Sequence, residues 1–121
     1  MCLITSNNTS YIAERDIICY KVLNGRYTPY RNIKVNILQL LGLMPFKAEG
    51  FIDIYPNVFG YIIEGGMIHT FVNENEAIDA NAYHIKDRVY KCIIPKGTEY
   101  FISSDKEEYC SKKIKFVKRI Y

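Results

Sequence analysis

The sequence has no tryptophan, and its 7 Gly and 4 Pro are scattered over 121 residues without a period. That excludes a collagen-like or low-complexity chain. It also lacks a long apolar run. The longest, residues 37–46, is interrupted by Gln39, Gly42 and Pro45 and is about half of the roughly 20 residues a membrane helix needs. A soluble chain without a membrane partner is therefore expected. Nor does one sign of charge dominate: 16 Lys+Arg against 13 Asp+Glu leave +3, a weaker basic excess than most nucleic-acid-binding domains show. With 49% hydrophobic and 24% charged residues the composition excludes intrinsic disorder. Residues 1–121 fit one domain.

Chemical motifs are equally scarce. The start of the chain, Met1-Cys2-Leu3-Ile4-Thr5-Ser6, has no basic region and too short an apolar stretch for a secretory signal. A cytoplasmic, reducing location follows as the expectation, in which Cys2, Cys19, Cys92 and Cys110 are thiols. His69, His84, Cys92 and Cys110 are natural metal ligands, but none forms the close local pair that structural zinc sites use. No nucleophile elbow or phosphate-binding glycine loop occurs. No catalytic residue, metal or cofactor is expected on these grounds.

The apolar pattern points to strands. Residues 17–22 read as a buried strand closed by Asn24-Gly25, a tight-turn signal. Residues 26–28 return beside it, confined to an edge by Pro29. Residues 32–41 carry two patterns at once. Ile33, Ile37, Leu40 and Leu41 form a helical stripe stopped by Gly42, whereas Ile33, Val35 and Ile37 alternate with Lys34 and Asn36 as in a strand. The β-branched residues favour strand over the first half.

Residues 51–55 form a short strand stopped by Pro56-Asn57. Residues 58–63 and 67–72 flank Glu64-Gly65-Gly66, and a hairpin across the glycines is predicted. Asn73 with Glu76 marks a helix start, running through Ala77 and Ile78 towards Tyr83 or Ile85. Residues 88–94 and 98–102 are strands joined by a turn at 94–97. An acidic loop, 103–108, leads to a last strand at 114–120, with Ile114 and Phe116 inward and Lys113 and Lys115 outward. Residues 1–12 read as a loose arm. The sum is an α+β, antiparallel-rich small domain of about seven short strands, a curled sheet or partial barrel with one short helix.

What the chain does have is tyrosine, 11 residues of it, and a basic end: Lys112, Lys113, Lys115, Lys118 and Arg119 with no acid among them. So many hydroxyl-bearing rings suit a surface that is partly apolar and partly wet. The candidate binding residues are His69, Tyr20, Lys21, Lys96, Tyr100, Lys112, Lys113 and Lys115.

Residues 16–23, 89–100 and 111–116, with Gly66-Met67-Ile68-His69-Thr70-Phe71 between them, resemble small uncharacterised proteins of gut Bacteroides-type bacteria and their phages. That resemblance implies a bacterial or phage origin and no particular activity. A slighter one is to the ADP-ribosyltransferase core, through Tyr20-Lys21, His69-Thr70 and an acid at Glu107 or Glu108. It would imply an NAD-using enzyme, although the first-strand Arg or His and the Ser-Thr-Ser strand are missing. The leading expectation is a small cytosolic, non-enzymatic binding or protein-interaction domain related to phages or mobile elements, with a protein or small-molecule partner. Alternatives are a diverged ADP-ribosyltransferase-like enzyme and a nucleic-acid-binding module using the basic C-terminal strand; self-association into a homo-oligomer is compatible with any of these.

Overall fold

The computed structural model describes residues 2–6, 9–28, 33–80 and 87–121. The strands in chain order are β1 (Cys2–Thr5), β2 (Tyr11–Ile12), β3 (Ile17–Asn24), β4 (Phe46–Lys47), β5 (Asp53–Asn57), β6 (Gly60–Glu64), β7 (Ile68–Phe71), β8 (Asp87–Ile94), β9 (Glu99–Ile102), β10 (Glu108–Ser111) and β11 (Lys113–Arg119). Two helices, α1 (Ile37–Leu40) and α2 (Glu74–Ala80), interrupt them. Eight strands form one sheet in the order β2-β9-β10-β7-β3-β8-β11-β4, and three form a second, β1-β6-β5. Neighbouring strands are antiparallel throughout.

The antiparallel-rich architecture is the one the apolar pattern indicates, but the described residues hold eleven strands rather than about seven, and two helices rather than one. The large sheet is not closed into a barrel; β2 and β4 lie at its two ends. The extra strands are short or polar. β2 and β4 have two residues each, too few to alternate, and β10 begins in what reads as the acidic loop. The start of the chain is not a loose arm. Leu3 and Thr5 are buried and Ile4 exposed, and β1 pairs along β6 from Cys2↔Glu64 to Thr5↔Tyr61.

The glycine hairpin is a second correction. β6 and β7 do not pair; they belong to different sheets. The turn at Gly65-Gly66 passes the chain from one sheet to the other. At Gly66 the backbone of Phe51 comes so near that a Cβ would lie 2.7 Å from its carbonyl carbon, a contact no side chain tolerates. The true hairpin is β5–β6, turning at Val58-Phe59, with Pro56 on the outer strand where a missing N–H is harmless.

Over residues 33–41 the strand pattern yields only an isolated bridge, and the helical pattern a single turn. Lys34 bridges Tyr27, and from Ile37 the chain winds into the single turn of α1. Asn36 and Gln39 close a reciprocal cap: Gln39 N–H donates to Asn36 Oδ1 at 2.8 Å and Asn36 N–H to Gln39 Oε1 at 3.0 Å. α2 begins where the Asn73 signal places it; its expected extension to Tyr83 or Ile85 lies outside the described residues, as do His84 and Pro29.

Two apolar clusters hold the fold. The larger gathers Cys19, Leu23, Val35, Phe46, Cys92, Ile94, Ile114 and Phe116 on one side of the large sheet. The smaller joins Leu3 and Ile63 of the small sheet to Phe101 and Cys110 of the large one.

Candidate interaction face and the strands around Lys21

At the centre of the large sheet, β3 and β8 keep unbroken register from Ile17↔Ile94 to Asn24↔Asp87. On its other side β3 meets β7 at one registered pair, Tyr20↔Phe71. Lys21 adds the contact that the ladder does not: its Nζ donates to the His69 carbonyl at 2.7 Å. The side chain is buried, 8% exposed, beside Cys19 and Cys92, which face each other across β3 and β8. Burial pulls the Lys21 ammonium down from 10.5 to about 8, with nearby Cys92 and Cys19 offsetting part of the shift. The same burial pushes the Cys19 thiol up to about 12, the Thr70 hydroxyl and Lys21 opposing it, and raises Cys92 well above its usual value. Thiols so held are poor nucleophiles. The group ties β3 to β7 and offers no reactive atom to solvent.

The stretches behind the transferase resemblance do fall on adjacent strands. Tyr20, Phe71 and Glu108 form one cross-strand row, and His69 faces Cys110 beside it. The Glu108 carboxyl is raised by burial and then by neighbouring Asp105 and Glu107. Lys21, however, follows Tyr20 in the strand and so lies on the opposite side of the sheet from Glu108.

The remaining sequence candidates are dispersed. Lys96 is exposed in the β8–β9 turn, where its backbone N–H donates to Asp16 Oδ1 at 2.9 Å. Tyr100 is half-buried between Tyr11 and Tyr109, with ring centroids 5.8 and 5.9 Å away. Lys112 is partly committed, its Nζ donating to the Gly66 carbonyl at 3.2 Å. Lys113 is half-buried opposite Lys47, and Lys115 is exposed. Among the described residues, no three of His, Cys, Asp and Glu are grouped to hold a metal ion.

Sequence reasoning missed an exposed apolar surface that lies beside the basic last strand. After α1 the chain runs antiparallel along β11. Gly42 packs so close that a Cβ would lie 2.6 Å from the Phe116 carbonyl oxygen. Phe46 pairs with Ile114 and packs against the Phe116 ring, and Ala48 N–H donates to the Lys112 carbonyl at 2.8 Å. Leu40 reaches the core, but Ile37, Leu38, Leu41, Leu43 and Met44 stay in solvent, Leu41 64% and Leu43 70% exposed. Segments 33–48 and 112–121 contain seven Lys or Arg and no acid. The other nine bases share the rest of the chain with all 13 acids, so charge is sorted along the chain. In sequence, the available signal was the absence of acid from both segments; their adjacency was not visible.

The fold thus defines a small α+β domain of mostly antiparallel strands in two sheets, and no described helix is long and apolar enough to cross a membrane. No family model, curated protein or solved structure matches the chain.

Proposed function

We propose that this chain is a small non-enzymatic binding domain whose contact surface is the basic, leucine-bearing face built by residues 37–44 on β11. The observation that carries this reading is the exposure of five aliphatic side chains in eight residues, beside a strand whose Lys115, Lys118 and Arg119 are also exposed. Scattered surface apolar residues need no explanation, but a contiguous group rimmed by charge marks an interaction site. The test is binding of bis-ANS, an anionic apolar dye, with circular dichroism to confirm the fold. Wild-type protein should enhance its fluorescence while native, and the double variant Leu41→Ser/Leu43→Ser should give a clearly weaker signal. Equal signals from the two proteins would refute the assignment of this face.

A second reading is the diverged NAD-using enzyme, favoured by the row Tyr20, Phe71 and Glu108. Calorimetric titration with NAD decides it. Heat of binding that His69→Ala and Glu108→Gln abolish would support it; absence of binding to wild type removes it.

A further inference from the structure

Taking the basic leucine-bearing face as the contact surface, we propose that its occupant is an anionic phospholipid bilayer, on which the protein sits peripherally with Leu41 and Leu43 inserted among the headgroups.

Charge chooses among the occupants first. A second copy docking by the same face would set the exposed Lys115, Lys118 and Arg119 against the same three residues, with no acid from either segment, so self-pairing there is electrostatically disfavoured. An anionic partner is required. The exposed side chains then separate anionic partners. Ile37, Leu38, Leu41, Leu43 and Met44 are aliphatic; single-stranded nucleic acid is gripped by aromatic rings on which bases stack, and none stands in this segment. The side chains also project outward, Leu43 with 70% of its surface in water, which suits a soft apolar layer better than a preformed groove.

Stable peripheral attachment takes two signals, an apolar insertion and an attraction of bases to anionic lipid. Both are present on adjacent pieces of backbone. Gly42 is held against Phe116, so the leucines on either side of it are fixed beside the strand that carries Lys115, Lys118 and Arg119. The attraction acts within about one Debye length, roughly 8 Å at physiological salt. The expectation from hydropathy that no membrane partner exists concerns spanning segments, and a surface-bound domain needs none.

The chain has no tryptophan, so Leu43→Trp introduces a single reporter. With vesicles containing phosphatidylserine, its emission should shift to the blue and be quenched by brominated lipid. Wild-type protein should sediment with those vesicles and not with phosphatidylcholine alone. Lys115→Gln/Lys118→Gln/Arg119→Gln should weaken sedimentation about a hundredfold, as three lost attractions imply, and Leu41→Ser/Leu43→Ser should also weaken it.

Failure to sediment while bis-ANS still binds would overturn the lipid occupant and leave the face standing. Failure of both would remove the face itself. Equal binding to phosphatidylcholine would overturn the role given to charge. Binding of the Leu43→Trp variant with its indole left unquenched would overturn the role given to insertion. Tighter binding to an oligonucleotide or to polyglutamate than to the anionic vesicles would assign the face to nucleic acid or to an acidic protein instead.

Discussion

Residues 17–24 and residues 37–44 are stretches of equal length with contrasting fates. The first contains a lysine, yet Cys19, Lys21 and Leu23 are all buried; the second has no charge, yet five of its six apolar side chains are exposed. The difference lies in what each backbone is bonded to. β3 is a central strand with β8 along its whole length and β7 on its other side, so its inward side chains are covered whatever their chemistry. Residues 37–44 form one helical turn and a loop resting on β11 near the end of the sheet, with only Leu40 packed on the core. Burial is thus set by place in the ladder, and side-chain hydropathy decides only how much free energy that place gains or loses.

The contrast is most directly broken by matched leucine deletions. Leu23 is fully buried, and Leu23→Ala should cost about 2–5 kcal/mol of stability in denaturant unfolding. Leu43→Ala, the same chemical change, should stay within about 0.5 kcal/mol of wild type. Comparable losses would mean that Leu43 is covered in solution.

Lys21 sharpens the comparison through pH. Its folded value of about 8 lies below the unfolded 10.5, so the folded state holds its proton less tightly. Across that window the unfolded chain binds more protons, and this group makes stability rise with pH; below pH 8 the penalty is present in full. The buried thiols act in the opposite sense: above about pH 9 an unfolded thiol ionises and a folded one does not. Comparing Lys21→Met with wild type isolates the lysine. The stability of the variant relative to wild type should fall by roughly 3 kcal/mol between about pH 7 and pH 10.5. A difference independent of pH would show that Lys21 titrates as it does in water.

Smaller effects test how the exposed segment is held. Gly42 combines a φ of +76° with contact against the Phe116 carbonyl, so Gly42→Ala should cost about 1–3 kcal/mol. It should also raise hydrogen exchange in residues 37–44. The smallest is Asn36→Ala, which removes half of the reciprocal cap on α1. A loss of about 1 kcal/mol is expected from thermal unfolding.

Local signals were legible wherever a few residues suffice to produce them. Asn24-Gly25 does make the tight turn, with Tyr27 N–H donating to the Asn24 carbonyl at 3.0 Å. The inward Ile114 and Phe116 and outward Lys115 are as alternation dictates. Gly65-Gly66 misled because glycine permits a hairpin turn and a close passage between sheets alike, and only Phe51, distant in sequence, distinguishes them. The exposed face was illegible for a related reason. A run of leucines at helical spacing reads as core until it is known whether another element covers it.

From the residues alone follow an antiparallel-strand-rich α+β chain, a buried strand over residues 17–22 and the acid-free basic end. Those properties depend on composition, alternation and turn chemistry, which act over a few residues. Tertiary structure alone decided that β6 and β7 part into different sheets, that Lys21 is buried against the His69 carbonyl, and that the leucines of residues 37–44 stand beside the basic strand. Each of these depends on contacts between residues far apart in the chain. Such contacts are set by competition among all strands for neighbours, and no local pattern records its outcome.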